Sequence, residues 1–396
     1  MDSSRKNRTL YIDTEALSTL ALVQAGLISP VTELMDSKTA KSVDKLKTFK
    51  GVPFPFAFIL APKGEQNHQV LSSAKRGETL DLINQNQKVG ELVVDETFEI
   101  DPKERLRNIY GTDDISHPGV KNTIARLGEI AVSGKYSVNY PIINDNINRI
   151  GQMIQKTGAR TVSAIMLAAN PLNRAHERMI RQAISDSDLL VIFLRKPFTN
   201  KGLRYDIRFN ALSRYIDNFI PRGKVIIIPF ENTYIFAGYN ELILDALLAK
   251  NYGCDKLLIG KNHGGLGLYY DKNRLNSIFD HCKNMDLAIQ TVDEYVYCDT
   301  CKTLVSTQTC PHGQHHHVHY HSPSILKLIE AGVIPPPILV RKEVSANIMA
   351  SLFPDRFSNL QEMHYSLMPG SGLLEQQSEE QFYLKLIKLY QTSSLT

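Results

Sequence analysis

The first third of the chain consists of short apolar runs separated by turn residues. Between Thr9 and about Tyr140, these runs include Val52–Leu60 and Gly90–Val94. Short apolar runs bounded by glycine, proline, asparagine or serine are typical of β-strands. The pattern therefore predicts a small β-rich domain over residues 1–145.

From about Val162 the pattern changes, and apolar runs alternate with longer stretches of helical character. This alternation favours a parallel sheet covered by helices on both faces. It predicts an α/β domain over residues 146–295. The predicted strands are Val162–Leu167, Leu189–Leu194, Val225–Phe230 and Lys256–Gly260, and the predicted helices are Pro171–Ile184, Leu203–Phe219 and Tyr239–Asn251.

The remainder of the chain divides into a Cys/His-rich part and a tail. The Cys/His-rich insert runs from Cys298 to His321, and helices are predicted over Ser324–Ala331 and Lys342–Leu352. Ser378 and Gln381 have the spacing of a capping box at the start of an amphipathic helix. We predict a small C-terminal domain over residues 296–355 and a C-terminal extension over residues 356–396.

Composition and charge narrow the class of protein. The 396 residues are 43% hydrophobic, which is enough to build a large core, and no apolar run approaches the roughly 20 residues of a spanning helix. The net charge is +4, with basic and acidic residues interspersed. The charge pattern therefore indicates neither nucleic-acid nor membrane binding. Because the first ten residues lack the apolar stretch of a signal peptide, we expect a cytoplasmic protein.

The turn after the first strand of the predicted α/β domain has the features of a phosphate site. Asn170 is expected to be the N-cap of the next helix, with Pro171 at its first position. A helix that begins at the carboxyl end of a parallel strand presents free N–H groups to an anion. Asn173 and His176 would share one face, and His176 could donate to a phosphate oxygen. The alternative is an ordinary helix cap with a partly buried histidine.

A second candidate site follows the last predicted strand of the same domain. Gly260, Gly264 and Gly265 allow the backbone to approach a ligand closely, while Lys261 and His263 supply donors. The alternative is a glycine-rich turn with solvated side chains.

Three of the five cysteines, namely Cys298, Cys301 and Cys310, lie within thirteen residues of one another, and histidines follow at once. Thiolates and imidazoles at this spacing favour a closed, tetrahedral, structural zinc site. As the fourth ligand we favour His315 over His312, because it leaves a longer loop after Cys310. A redox Cys-x-x-Cys pair and unliganded cysteines are the alternatives.

Several of these segments resemble, in the same order, motifs of the ATP sulfurylase family. That family carries Gln-Thr-Arg-Asn-Pro running into His-x-x-His, and this chain keeps Asn170, Pro171 and Arg174–Glu177. The resemblance covers roughly Thr9 to Pro354. Further similar blocks are Ala25–Met35, Tyr110–Val120, Ala237–Glu241, Lys250–Cys254 and Gly260–Gly265.

The resemblance implies a fold and an activity. The fold would combine a PUA-like N-terminal domain, a Rossmann-like nucleotidyltransferase domain of the HxGH type and a small zinc-bearing C-terminal domain. The activity would be the transfer of an adenylyl group from magnesium-bound ATP to sulfate, which gives adenylyl sulfate and pyrophosphate. The partners would be these small molecules, or another oxyanion, and self-association into a homo-oligomer is compatible with the sequence.

The resemblance also assigns roles to residues. His176, Lys261 and Asn170 would be the catalytic residues. The nucleotide would be bound by Asn173, His176, Gly260, Asn262, His263, Gly264 and Gly265.

The chain departs from the family at the two residues that bind sulfate there, and at the first histidine of the His-x-x-His motif. Leu167 replaces the family's Gln, Ala169 replaces its Arg and Asn173 replaces its first His. The loss of the Arg and the Gln removes a charge-assisted clamp on the anion. We therefore predict weak sulfate binding. The alternative function is a redirected or non-catalytic ATP-binding paralogue.

Overall fold

A computed structural model describes residues 7–196, 202–231, 240–260, 285–368 and 376–390. Its strands are β1 (Arg8–Tyr11), β2 (Thr48–Phe49), β3 (Val52–Pro53), β4 (Leu60–Pro62), β5 (Thr79–Asn84), β6 (Gln87–Glu99), β7 (Leu127–Val138), β8 (Val162–Leu167), β9 (Leu189–Lys196), β10 (Val225–Glu231), β11 (Lys256–Gly260), β12 (Ala288–Val292), β13 (Tyr295–Cys298), β14 (Thr303–Ser306) and β15 (His317–His319).

The helices within the same ranges are α1 (Thr14–Gln24), α2 (Ser37–Leu46), α3 (Glu65–Ser72), α4 (Pro102–Tyr110), α5 (Pro118–Ile124), α6 (Ile142–Thr157), α7 (Arg174–Ser185), α8 (Tyr205–Phe219), α9 (Glu241–Asn251), α10 (Ser322–Glu330), α11 (Lys342–Leu352), α12 (Leu360–Leu367) and α13 (Glu379–Tyr390). Among these described helices, none combines the length and apolar character required to cross a membrane.

The chain divides into two compact units. The first comprises Met1–Met166 and Pro229–Thr291, and the second comprises Leu167–Ile228 and Val292–Thr396. Each unit consists of two separate segments of the chain, whereas each predicted domain is one continuous segment. The predicted domain boundaries therefore stay predictions.

The N-terminal region of the first unit is built on a five-stranded sheet of order β1-β5-β6-β7-β4. The pairing of β1 with β5 is parallel, and β5, β6 and β7 pair in antiparallel fashion. The prediction of a β-rich region holds only in part, because helices α1 to α5 accompany the sheet. The run Val52–Leu60 forms strand only at its two ends, and Phe54, Phe56 and Phe58 between them are buried core residues.

The central sheet has the order β10-β9-β8-β11-β12, and β8 pairs with β11 in parallel. All six residues of β8 are buried, which explains its continuous apolar sequence. The predicted strands Val162–Leu167 and Lys256–Gly260 are confirmed residue for residue. Because β8 and β11 are parallel, their carboxyl ends lie at the same edge of the sheet.

The second unit contains the C-terminal elements. Strands β14, β13 and β15 form a small antiparallel sheet, and α11 packs against α8 and α13. The predicted capping box is confirmed: Ser378 N donates to Gln381 Oε1 at 2.9 Å, and Gln381 N donates to Ser378 Oγ at 3.2 Å. The tail is therefore held by packing as well as by chain connection.

Candidate functional site

The turn between β8 and α7 corrects one prediction about the helix start. Asn170 is not the N-cap and Pro171 is not the first helical residue, because α7 begins at Arg174 with Asn173 as its N-cap. Asn170 instead accepts a hydrogen bond at Oδ1 from Leu203 N, at 2.9 Å. Its side chain is thus engaged by a backbone segment 33 residues further along the chain.

This engagement also restricts the residue before Leu203. Gly202 has a φ of +82°, and a Cβ atom there would lie 2.2 Å from Asn170 Nδ2. A glycine at position 202 therefore lets the two segments approach closely. Within the described part of the chain, no residue accepts a hydrogen bond from Asn170 Nδ2.

The N-terminus of α7 is fixed by a reciprocal hydrogen-bonded pair. Asn173 Oδ1 accepts from His176 N at 3.1 Å, and His176 Nδ1 accepts from Asn173 N at 3.2 Å. Asn173 is buried and also donates through Nδ2 to Ser322 Oγ. Its side chain is thus committed to positioning the helix.

The same pair defines the chemical state of His176. Because Nδ1 accepts a hydrogen bond, the proton of the neutral ring is on Nε2. His176 keeps some solvent exposure, yet the burial of its ring lowers its pKa to about 4. At neutral pH His176 is therefore an uncharged donor at a helix N-terminus.

Glu177, the residue after His176, anchors the first turn of α7. Its carboxylate is 5% exposed and accepts from Arg341 Nη2 at 2.8 Å and from Arg174 Nη1 at 2.9 Å. The guanidinium of Arg341 also lies 3.9 Å from the ring centroid of Phe219. This buried ion pair sets the orientation of the first turn of α7, and with it that of His176.

Arg208 also contacts the turn, although no sequence motif includes it. It lies on α8 and is 2% exposed, and its Nη1 donates to Ala168 O at 2.6 Å. Its signal in the sequence is a cation on the apolar face of a helix, among the buried residues Ile207, Ala211 and Leu212. Arg341 has no comparable signal.

The second candidate site is described only at its start. Gly260 is the last residue of β11, at the sheet edge where β8 also ends. The other predicted ligands in this loop, namely Lys261, Asn262, His263, Gly264 and Gly265, lie outside the described residues.

The structure brings Cys298, Cys301, Cys310 and His312 together, with one donor atom from each within 4.8 Å of all the others. His315, the predicted fourth ligand, lies outside this cluster: it is exposed, and its ring is tilted by 47° against that of His316, with centroids 4.2 Å apart. His312 Nδ1 lies 3.5, 3.3 and 3.6 Å from the three sulfurs in chain order, and Cys301 Sγ lies 3.9 Å from Cys310 Sγ.

These distances can be compared with those of a bound metal. A tetrahedral zinc ion at about 2.3 Å from sulfur and about 2.0 Å from nitrogen requires sulfurs about 3.8 Å apart and a sulfur–nitrogen separation of about 3.5 Å. The observed separations agree with both values. The four residues therefore fit a zinc ion.

Comparison with known proteins places the chain in a family. A model of the ATP-sulfurylase family matches residues 145–351, and a PUA-like domain model matches residues 1–139. The chain is 28% identical over 352 residues to a sulfate adenylyltransferase of Chloroflexus aurantiacus, covering 86% of this chain and 90% of the relative. It is 27% identical to one from Halothermothrix orenii, covering 85% and 90%.

Among solved structures, the fold is similar to that of a protein described as a hexameric APS kinase from Thiobacillus denitrificans, with a TM-score of 0.63 at 16% identity. The match covers 87% of this chain and 63% of the length of that solved chain, and it shows the fold alone. The family model, in contrast, spans more than half of the 396 residues. The chain therefore belongs to the ATP-sulfurylase family.

Proposed function

We propose that this chain is a sulfate adenylyltransferase that transfers the adenylyl group of magnesium-bound ATP to sulfate. The observation that carries the proposal is the α7 N-terminus, where a family motif coincides with a neutral His176 whose Nε2–H is free of the cap. An uncharged N–H donor and a helix N-terminus together suit a phosphate group.

In the proposed reaction, an oxygen of sulfate forms a bond to the α-phosphorus of ATP. The bond from this phosphorus to the oxygen that bridges to the β-phosphate breaks, and pyrophosphate leaves with that oxygen. Sulfate is already an anion, so no general base is needed. Catalysis then depends on positioning and on the stabilisation of charge.

His176 would donate to the triphosphate, and Asn170 Nδ2 would donate to the α-phosphate or to the acceptor. Lys261 would balance charge as pyrophosphate forms. Asn173 would contribute through the cap that fixes His176, and the backbone of Gly260, Gly264 and Gly265, with Asn262 and His263, would complete the nucleotide site.

A structural zinc ion is the second part of the proposal. Cys298, Cys301, Cys310 and His312 would hold it in a closed site. Such an ion would stabilise the small sheet of β13, β14 and β15, where little apolar material is available.

The second candidate function is a redirected or non-catalytic ATP-binding paralogue. It is favoured by Leu167 and Ala169, whose side chains cannot donate a hydrogen bond to an anion. We infer small-molecule partners and a cytoplasmic location for either function, with self-association as an additional property to be measured.

The two functions are separated by pyrophosphate release from magnesium-ATP, measured with sulfate, without sulfate and with other oxyanions. A sulfate adenylyltransferase releases pyrophosphate in proportion to sulfate and forms adenylyl sulfate in equal amount. Release that depends on a different oxyanion, or ATP binding without release, would identify the paralogue. His68→Ala, a change at an exposed histidine of the N-terminal region, is the matched control for His176→Ala.

A further inference from the structure

Arg208 is a buried cation without a carboxylate partner in the described part of the chain. It is 2% exposed. Its Nε donates to Leu203 O at 3.0 Å, and its Nη1 donates to Ala168 O at 2.6 Å. Nη2 is buried, and none of the described residues accepts a hydrogen bond from it. Because a buried charge is normally paired, this arrangement is costly unless an anion completes it.

The other arginines near the turn differ from Arg208 in this respect. Arg174 forms an ion pair with Glu177 at 2.9 Å, and Arg204 forms one with Asp206 at 2.8 Å. Arg204 is also largely exposed to solvent. Their charges are neutralised by carboxylates, whereas the described partners of the Arg208 guanidinium are two backbone carbonyls and the ring of Tyr205, whose centroid lies 5.8 Å away.

The carbonyl that Arg208 contacts belongs to the peptide unit whose N–H is that of Ala169. No described residue accepts a hydrogen bond from this N–H. A hydrogen bond from a cation to the carbonyl oxygen polarises the peptide and makes its N–H a stronger donor. The peptide can thus transmit the charge of Arg208 to an anion on its opposite side.

A small set of donors therefore surrounds the turn. It contains Ala169 N, Asn170 Nδ2 and the positive charge of Arg208. The two N–H donors are on neighbouring residues, and the cation behind them is buried. This arrangement suits a compact anion more than a long, flexible polyanion.

We propose that Arg208 is the positioning residue for the acceptor anion, and that it supplies, through the Ala168–Ala169 peptide, the positive charge that favours a tetrahedral dianion. This inference rests on the proposed function, since it concerns the acceptor of the same reaction. It names a residue outside the motif, and this residue would supply positive charge to a turn in which Leu167 and Ala169 cannot.

The burial of Arg208 lowers its pKa, because desolvation disfavours the charged form. The guanidinium nevertheless remains protonated near neutral pH, because an arginine side chain keeps its proton far into the alkaline range. The effect of Arg208 on anion binding is therefore expected to be independent of pH between about 6 and 9.

The test compares wild type with Arg208→Gln, which keeps a donor for Ala168 O without the charge, and with Arg208→Lys, which keeps the charge without the planar fork. Arg204→Gln, four residues away on the exposed surface, is the matched control. We expect Arg208→Gln to lower kcat/KM for sulfate by about tenfold or more, with the Kd for ATP changed less than about twofold. Arg208→Lys should lie between wild type and Arg208→Gln, and Arg204→Gln should match wild type.

A second readout separates charge from folding. We expect wild type to bind thiosulfate, a dianion, more tightly than chlorate, a monoanion, and Arg208→Gln to lose most of that preference. Parallel losses in ATP affinity and melting temperature, with the preference intact, would show that Arg208 only holds the turn and would overturn the inference. If Arg208→Gln does not fold, Arg208→Lys replaces it in the test. An unchanged anion preference with reduced sulfate affinity in Arg208→Lys supports the inference, and wild-type sulfate kinetics in that variant overturn it.

The inference and the proposed function can fail separately. If wild type shows no sulfate-dependent turnover, the function fails, and thermal stabilisation by sulfate then decides the role of Arg208. Stabilisation that is lost in Arg208→Gln supports the anion site, and stabilisation that persists overturns it. If wild type is active and Arg208→Gln is indistinguishable from it, the function stands and the inference fails.

Discussion

At the scale of single residues, His176 links the cap of α7 to the proposed ATP site. Its Nδ1 is occupied by the N-cap backbone, so only Nε2–H can reach a ligand. Replacing it with alanine should weaken ATP binding by about 1.5 to 3 kcal/mol, the value of a strong phosphate hydrogen bond. Isothermal titration of His176→Ala and His68→Ala checks this, and unchanged affinity in the first variant would mean that His176 serves only the helix cap.

His176 also predicts a dependence of stability on pH. Its pKa in the folded state is about 4, below the value of 6.5 expected in the unfolded chain. Below pH 6.5 the unfolded chain binds a proton that the folded protein excludes, so the free energy of unfolding decreases as the pH falls towards 4. A depression of this size corresponds to roughly 3 kcal/mol. Urea titrations should show a smaller decrease for His176→Gln, and identical pH profiles for the two proteins would contradict the assigned state.

Ala169 and Leu167 carry the prediction of weak sulfate binding. Restoring the family residues with Ala169→Arg and Leu167→Gln should raise kcat/KM for sulfate by roughly two orders of magnitude, because a charged contact at a desolvated site contributes a few kcal/mol. Ala169 is 1% exposed and has a φ of 47°, so circular dichroism must first establish that the variant folds. A folded variant with no gain in sulfate efficiency would show that these positions do not limit the reaction.

At the scale of elements, the proposed zinc site is expected to stabilise the sheet of β13, β14 and β15. We expect purified protein to contain one zinc ion per chain. His312→Ala should lose it with a large fall in melting temperature, whereas His315→Ala should retain it, because among the described histidines His312 alone has a ring nitrogen near all three sulfurs. Metal analysis and thermal unfolding of both variants check this, and a zinc content unaffected by His312→Ala would contradict the ligand set.

Elements were predictable from sequence where the information was local. Strand β8 is apolar at every position because both of its faces are buried, so its bounds followed from the pattern alone. The start of α7 did not, because Asn170 bonds to Leu203, a partner distant in sequence. The spacing after Cys310 allowed either His312 or His315 to close the zinc site, and only the folded loop distinguishes them. Arg208 was missed because a lone arginine on a helix carries no motif.

At the scale of the whole molecule, the PUA-like region and the ATP-sulfurylase region together cover most of the chain. We propose that the protein catalyses adenylyl transfer even though its acceptor site is altered. Sulfate-dependent release of pyrophosphate depends both on the rate of adenylyl transfer and on the affinity for sulfate. A low rate in the forward reaction therefore has two explanations.

The reverse reaction separates them, because in adenylyl sulfate the sulfate group is already joined to the nucleotide and its binding draws on the affinity for AMP. The most direct measurement is therefore the formation of ATP from adenylyl sulfate and pyrophosphate by wild-type protein. We expect ATP formation that requires both substrates and that falls in His176→Ala by roughly an order of magnitude or more. Binding of adenylyl sulfate without any formation of ATP would show that the protein does not catalyse adenylyl transfer.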